Sequence, residues 1–223
     1  MIHLKDIEDA KFIAIVVKSV DLLPVGSALY THIIRLHKKV SFVCLDEVDK
    51  KFSFLPWYDK LRDTTPVSAD LVVTLQVDDF NLYEMFKTHN IKINQKMATA
   101  LYASLLVEYD GFISGDVDGT VFANASELMA CGAEYKVCNE FIVKRVTLAR
   151  LRLKSLMLKN MLLVDDAKEA VFYLFDDDLK SSGATLKDVY LIMKEALGLE
   201  YVEKISLIKN NKSKEIWFEK KKR

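Results

Sequence analysis

The 223-residue sequence predicts an α/β fold with a parallel β-sheet flanked by helices. Three observations carry that prediction. Residues 12–17 (FIAIVV), 40–45 (VSFVCL) and 71–77 (LVVTLQV) are short apolar runs rich in β-branched residues, as expected of strands buried on both faces. A segment with helical spacing of Leu29, Ile33, Ile34 and Leu36 separates the first two. The order strand, helix, strand, turn, strand is the doubly wound pattern, which places sites at the carboxyl ends of the strands.

Taken in order, residues 3–10 form an amphipathic lead-in helix before the first strand. Gly26-Ser27 opens the next helix, which runs to Lys38-Lys39. After the second strand, FSFLPWYDK makes an aromatic turn in which Pro56 stops regular structure. A helix over 82–89 follows the third strand. Residues 91–112 then read as a strand-like lead (Ile91, Ile93), a helix from about Met97, and an acidic exit broken by Gly111. In that helix Ala98, Leu101, Tyr102, Leu105 and Leu106 share one apolar face. The division expected is an α/β domain over 1–145, a linking helix over 146–163 and a smaller α/β domain over 164–223. The last is built from AVFYLF, LKDVYLIMKEAL, VEKISLI and EIWFE, with Ser182 or Thr185 capping its helix near Gly183.

Composition narrows the function classes. Half of the residues are hydrophobic (51%) and 29% are charged, enough for a sizeable core. Lys+Arg and Asp+Glu both number 32, so no global field selects nucleic acid or an anionic membrane. Cys44, Cys131 and Cys138 lack CxxC spacing and read as free thiols of a reducing cytoplasm. With no apolar run near ~18 residues, neither a signal peptide nor a membrane span is expected.

The strand ends 18–23, 46–49 and 76–79 carry acids. Asp21, Asp79 and Glu108 are candidate ligands of one divalent metal; the competing reading makes each a solvated loop residue or a helix cap. No histidine stands at a strand end: His32 and His37 fall inside the first long helix, His89 ends another, and His3 is near the terminus. That counts against catalysis. Asp116 and Asp118 in SGDVDGT resemble part of a Ca²⁺ loop but lack its full ligand series, which favours a polar turn. The basic residues of 144–159 are interleaved with leucines, which favours a buried spine with solvated lysines. Phe52, Phe54, Trp57 and Tyr58 read as packing before they read as a base-stacking platform, and the EKKKR ending as a solvated tail.

These residues carry a resemblance. FIAIVV, VGSALYTHIIRLHKKVSFVCLDE and ADLVVTLQVDD, followed by IKINQKMATALYASLLVEYDGF and FANASELMACGAEYKVCNEFIVKRVTLARLRLKSLMLKNM, are similar to DHH-family phosphoesterases. The branch concerned is the RecJ-like, NrnA-like group of oligoribonucleases and phosphoadenosine-phosphate phosphatases. Residues 168–223 resemble the start of the associated substrate-binding domain. The resemblance implies a two-metal phosphoester site, yet the family's ligands are largely replaced. In VVKSVDLLPVGS, Asp21 falls on the family's first aspartate, while Val17 stands at its histidine and Leu23 at its second aspartate. LQVDD puts Gln76 at a ligand position and keeps Asp79. The segment with the Asp-His-His signature is missing, Glu108 replaces the aspartate of a TDTG turn, and the second domain ends before the glycine- and histidine-rich substrate loop.

The resemblance therefore implies a phosphoesterase-like protein without metal-dependent phosphodiesterase activity, serving as a binding or scaffolding module. Two alternatives stand beside it. One is a residual phosphoesterase acting on short oligonucleotides or phosphoadenosine phosphate, with Mn²⁺ or Mg²⁺ on Asp21, Asp79 and Glu108. The other is a noncatalytic nucleotide-binding regulator that holds a phosphate at Gly26 and Ser27. No cofactor is expected unless activity remains. The partner is a second protein, or a second copy meeting an open apolar wall in the cleft between the domains; no membrane partner is expected, and the location is cytoplasmic.

Overall fold

The computed structural model describes residues 2–113, 116–210, 212 and 214–219, with Asp78 described by its backbone alone. The chain divides into two units, Met1–Arg145 and Val146–Arg223. Each has its own hydrophobic core.

In the first unit, α1 (Leu4–Asp9) leads into β1 (Phe12–Val17), whose residues from Ile13 onward are buried. Next come α2 (Leu23–Arg35), β2 (Lys39–Cys44), the two-residue β3 (Leu61–Arg62) and β4 (Leu71–Leu75). All pair in parallel, in the order β3-β2-β1-β4. The register sets Val17 beside Cys44 on one side and Leu75 on the other. Three strands therefore end at one level, and Lys18, Leu45 and Gln76 leave the sheet together. This edge is where an open α/β sheet places its ligands.

The third strand departs from the sequence reading. It stops at Leu75, and Val72 on it is 50% exposed. An edge strand has a partner on one side only, which leaves part of its face to solvent. The opening of α2 also differs. The helix starts at Leu23, with Pro24 in its first turn, where proline's fixed φ and missing N–H cost nothing. Gly26 and Ser27 thus lie inside the helix and are fully buried.

After α3 (Leu82–Thr88), residues 91–94 form no strand; Asn94 instead caps α4 (Gln95–Glu108), its Oδ1 accepting from the Met97 N–H at 2.9 Å. Every residue of α4 from Met97 to Leu106 is buried. A helix apolar all round belongs in the middle of a core. It packs against α2, α5 (Gly119–Ala130) and α6 (Tyr135–Cys138), so the single apolar face read from the sequence is one side of a helix covered on every side. Asp118, expected in a polar turn, is instead the cap of α5. Its carboxylate accepts from Thr120 and Val121 N–H at 2.9 and 3.1 Å. A π-helical segment, Asn139–Lys144, closes the unit.

The second unit begins with α7 (Leu148–Lys159), which falls within the expected linking helix and contributes Leu153 and Met157 to the second core. The elements β5 (Leu162–Val164), β6 (Glu169–Leu174), α8 (Asp176–Ser182), α9 (Leu186–Ala196), β7 (Lys204–Lys209) and β8 (Lys214–Glu219) follow. The sheet runs β5-β6-β7-β8, with β6 and β7 parallel and the outer pairs antiparallel. Thr185 caps α9 as the sequence suggests, pairing with Asp188 in a capping box. The three cysteines are free thiols, two of them buried. Among the described residues no helix is long and apolar enough to cross a membrane. Residues 220–223 of the basic tail and Ser114-Gly115 of SGDVDGT lie outside the described residues.

Candidate functional site at the carboxyl edge of the first sheet

Two of the candidates come from strand ends and the third from the end of α4. After β1 the chain makes a short 3-10 turn, Val20–Leu22, in which the Ser19 hydroxyl accepts from the Asp21 N–H at 3.4 Å. The Asp21 carboxylate is 47% exposed and faces Lys51 Nζ at 3.5 Å. Lys51 comes from the loop after β2 and also lies over the Phe52 ring, 4.7 Å from its centroid. After β4, the chain turns through Val77–Asn81. Asp79 there is 4% exposed, and its Oδ2 accepts from the Gln76 N–H at 2.7 Å. A carboxylate so buried and so engaged is a cap. Glu108 closes α4; burial raises its carboxyl above the ordinary range, and the Tyr109 hydrogen bond works against that shift.

These acids do not converge. Among the described residues no three His, Cys, Asp or Glu side chains assemble into a group able to hold a metal ion. The donor set does not fit the metal pair that the family resemblance implies, because Asp79 is spent on a cap and Asp21 on a lysine. Gly26 and Ser27 offer no phosphate cradle either. Ser27 donates its hydroxyl to the Pro56 carbonyl at 2.7 Å. A Cβ on Gly26 would lie 2.5 Å from Cε2 of Phe42, so the glycine serves close helix–strand packing. The aromatic turn is packing as well: Phe52 is fully buried, Trp57 Nε1 donates to Thr31 Oγ1 at 2.9 Å, and Phe54 meets Phe141 at 5.1 Å between centroids.

What the edge does hold is a cleft of about 510 Å³ at the ends of β2 and β3, lined by Cys44, Asp46, Val48, Leu61, Arg62, Asp63 and Thr64. Its volume suits a small molecule. Arg62 brings a guanidinium, Asp46 and Asp63 carboxylates, and Thr64 a hydroxyl. The Cys44 thiol lies 3.6 Å from the Asp46 carbonyl, and burial holds its pKa up, so it rests as a protonated thiol, not a nucleophile. This arrangement can bind a polar ligand, and it carries no paired nucleophile and base. The sequence marks Arg62, Asp63 and Thr64 only by a charged pair before the Pro66 turn, because β3 is too short for periodicity to reveal.

The backbone trace has known counterparts. No family model matches the chain, and no curated protein matches it. A solved structure of an exopolyphosphatase-related protein from Bacteroides fragilis matches with a TM-score of 0.76, covering 92% of this chain and 78% of that one at 14% identity. The chain shares that fold. A putative family II inorganic pyrophosphatase from Methanococcus jannaschii is also similar at 13% identity over 76% of this chain and 63% of that one, but its TM-score of 0.29 carries no weight. At such identities the likeness establishes the mixed α/β fold and nothing about chemistry.

Proposed function

We propose that this chain is a DHH phosphoesterase-like protein that binds a ligand or partner and no longer hydrolyses phosphoesters. The observation that carries the reading is the fate of Asp79: the acid kept from the family's pattern is buried and bonded to the Gln76 N–H. Asp21, its companion in that pattern, is paired with Lys51. A two-metal site needs several carboxylates and imidazoles aimed at a common point, and of the three acids at hand Asp79 is held by a cap and Asp21 by a lysine. The framework that folds the unit, in β1, α2 and α4, is kept. Retained packing with dispersed ligands is what a binding module leaves behind. The partner proposed is a protein or a second copy, in the cytoplasm, where three free thiols stay reduced.

A second reading, a nucleotide-binding regulator, is favoured by the cleft. Arg62 at the carboxyl edge of a parallel sheet stands where such folds hold phosphates. Calorimetric titration separates the readings. Mn²⁺ is expected to give no stoichiometric binding. Mono-, di- and cyclic nucleotides are expected to give saturable heats that Arg62→Ala removes if the cleft holds a phosphate, and no heat if the module serves a protein. Tight binding of two Mn²⁺ ions would overturn the proposal.

A further inference from the structure

We propose a second ligand pocket, at the opposite edge of the first sheet, that takes a small organic monocarboxylate. The cavity measures about 360 Å³ and is lined by Leu4 and Glu8 of α1, His32, Arg35 and Leu36 at the end of α2, and His89 and Ile91 after α3. Because α1 leads into β1 and Leu36 precedes β2, it lies by the amino ends of those strands, away from the cleft at their carboxyl ends.

His32 points to a ligand. It is only 8% exposed and lines the cavity; its ring stands 5.1 Å from that of Phe86, and its nitrogens, which keep access to solvent, bond to no described residue. An imidazole that opens into a cavity and bonds to no protein group can bond to what enters it. Burial, with Arg35 beside it, keeps the ring neutral, so it presents one N–H and one lone pair. Arg35 also lacks a carboxylate partner among the described residues. One of its nitrogens is fixed by the Lys92 carbonyl and the Met97 sulfur. That contact anchors the guanidinium at the rim and leaves the rest of its donors free. At His89, Nδ1 stands 2.9 Å from the Met85 carbonyl, which can only accept, so Nδ1 donates.

These groups select the ligand. A guanidinium fork and an imidazole N–H match a carboxylate. Leu4, Leu36 and Ile91 give its hydrocarbon an apolar wall. Glu8 and the carbonyl ends of α2 and α3, where helix dipoles are negative, oppose any anion, and the single guanidinium of Arg35 can offset one negative charge but not two. A phosphate dianion is therefore the poorer guest.

The test is an NMR titration of the full chain carrying ¹³C,¹⁵N-histidine, with hexanoate, inorganic phosphate and hexylamine as probes. Hexanoate is expected to shift the His32 ring resonances saturably, with phosphate and hexylamine far weaker. Arg35→Gln, its fold checked by its amide spectrum, is expected to weaken hexanoate binding about tenfold or more, the loss of a charge-assisted hydrogen bond. Glu8→Gln is expected to tighten it, a gain that no folding defect mimics. Absence of saturation, phosphate binding as well as hexanoate, or wild-type affinity in Arg35→Gln would each overturn the proposal.

Discussion

Gly26 and His32 sit less than two turns apart on α2 and are governed by different constraints. At Gly26 the limit is space. Helix propensity favours alanine by about 1 kcal/mol, but the new methyl would sit 2.5 Å from the Phe42 ring and 3.2 Å from Val17 Cγ2. Overpacking of this kind costs about 1–3 kcal/mol, so Gly26→Ala is expected to lower stability in urea unfolding despite the better helix former. At His32 the limit is charge. Burial, aided by Arg35, pushes its pKa down to about 4 from 6.5. The unfolded chain then binds the proton more readily than the native one across that interval, so His32 makes native stability fall as pH drops from about 6.5 to about 4. A ring titration followed by NMR is expected to show a midpoint near the lower value. A midpoint near 6.5 would place His32 in open water.

At the scale of elements, α4 organises the first unit. Ten consecutive residues of it are buried, so its amino end must be satisfied locally, and the Asn94 side chain does that. Asn94→Ala is expected to cost about 1 kcal/mol, measurable as a shift in the urea midpoint at unchanged slope. The elements also show what a sequence makes readable. FIAIVV is a strand over the span its composition marks, because a run buried on both faces needs no partner pattern to be recognised. LVVTLQV has the same doubly buried composition and is an edge, since position in the sheet is decided by strands elsewhere in the chain. Helix starts failed where the cap was unusual: α2 opens at Leu22-Leu23 without a capping side chain, so Gly26-Ser27 looked like the better start. The acids at the strand ends were visible as residues. Whether an aspartate becomes a ligand or a cap depends on a neighbouring N–H, as Gln76 decides for Asp79. The cleft and the His32 pocket are the least legible: the first depends on a strand too short to show a pattern, and the second is assembled from segments far apart in the chain.

Across the whole molecule, two cores divide the stabilising burial. The second rests on Phe172 of β6, packed with Val189, Ile192 and Met193 of α9 and with Ile205 and Leu207 of β7. Phe172→Ala is expected to remove about 3–5 kcal/mol from that unit, seen as faster amide exchange in β6 and β7 while β1 and β2 keep their protection. On the proposed reading the molecule joins a phosphoesterase-like framework to strand ends at which Asp79 caps a turn and Asp21 pairs with Lys51. The most direct test is hydrolysis of a short RNA and of phosphoadenosine phosphate with Mn²⁺, run beside an active DHH phosphoesterase. The expected result is no turnover above background, unchanged in Asp21→Ala and Glu108→Ala. Clear turnover that either substitution abolishes would mean that the acids do meet on a metal, and would contradict the reading of a binding module.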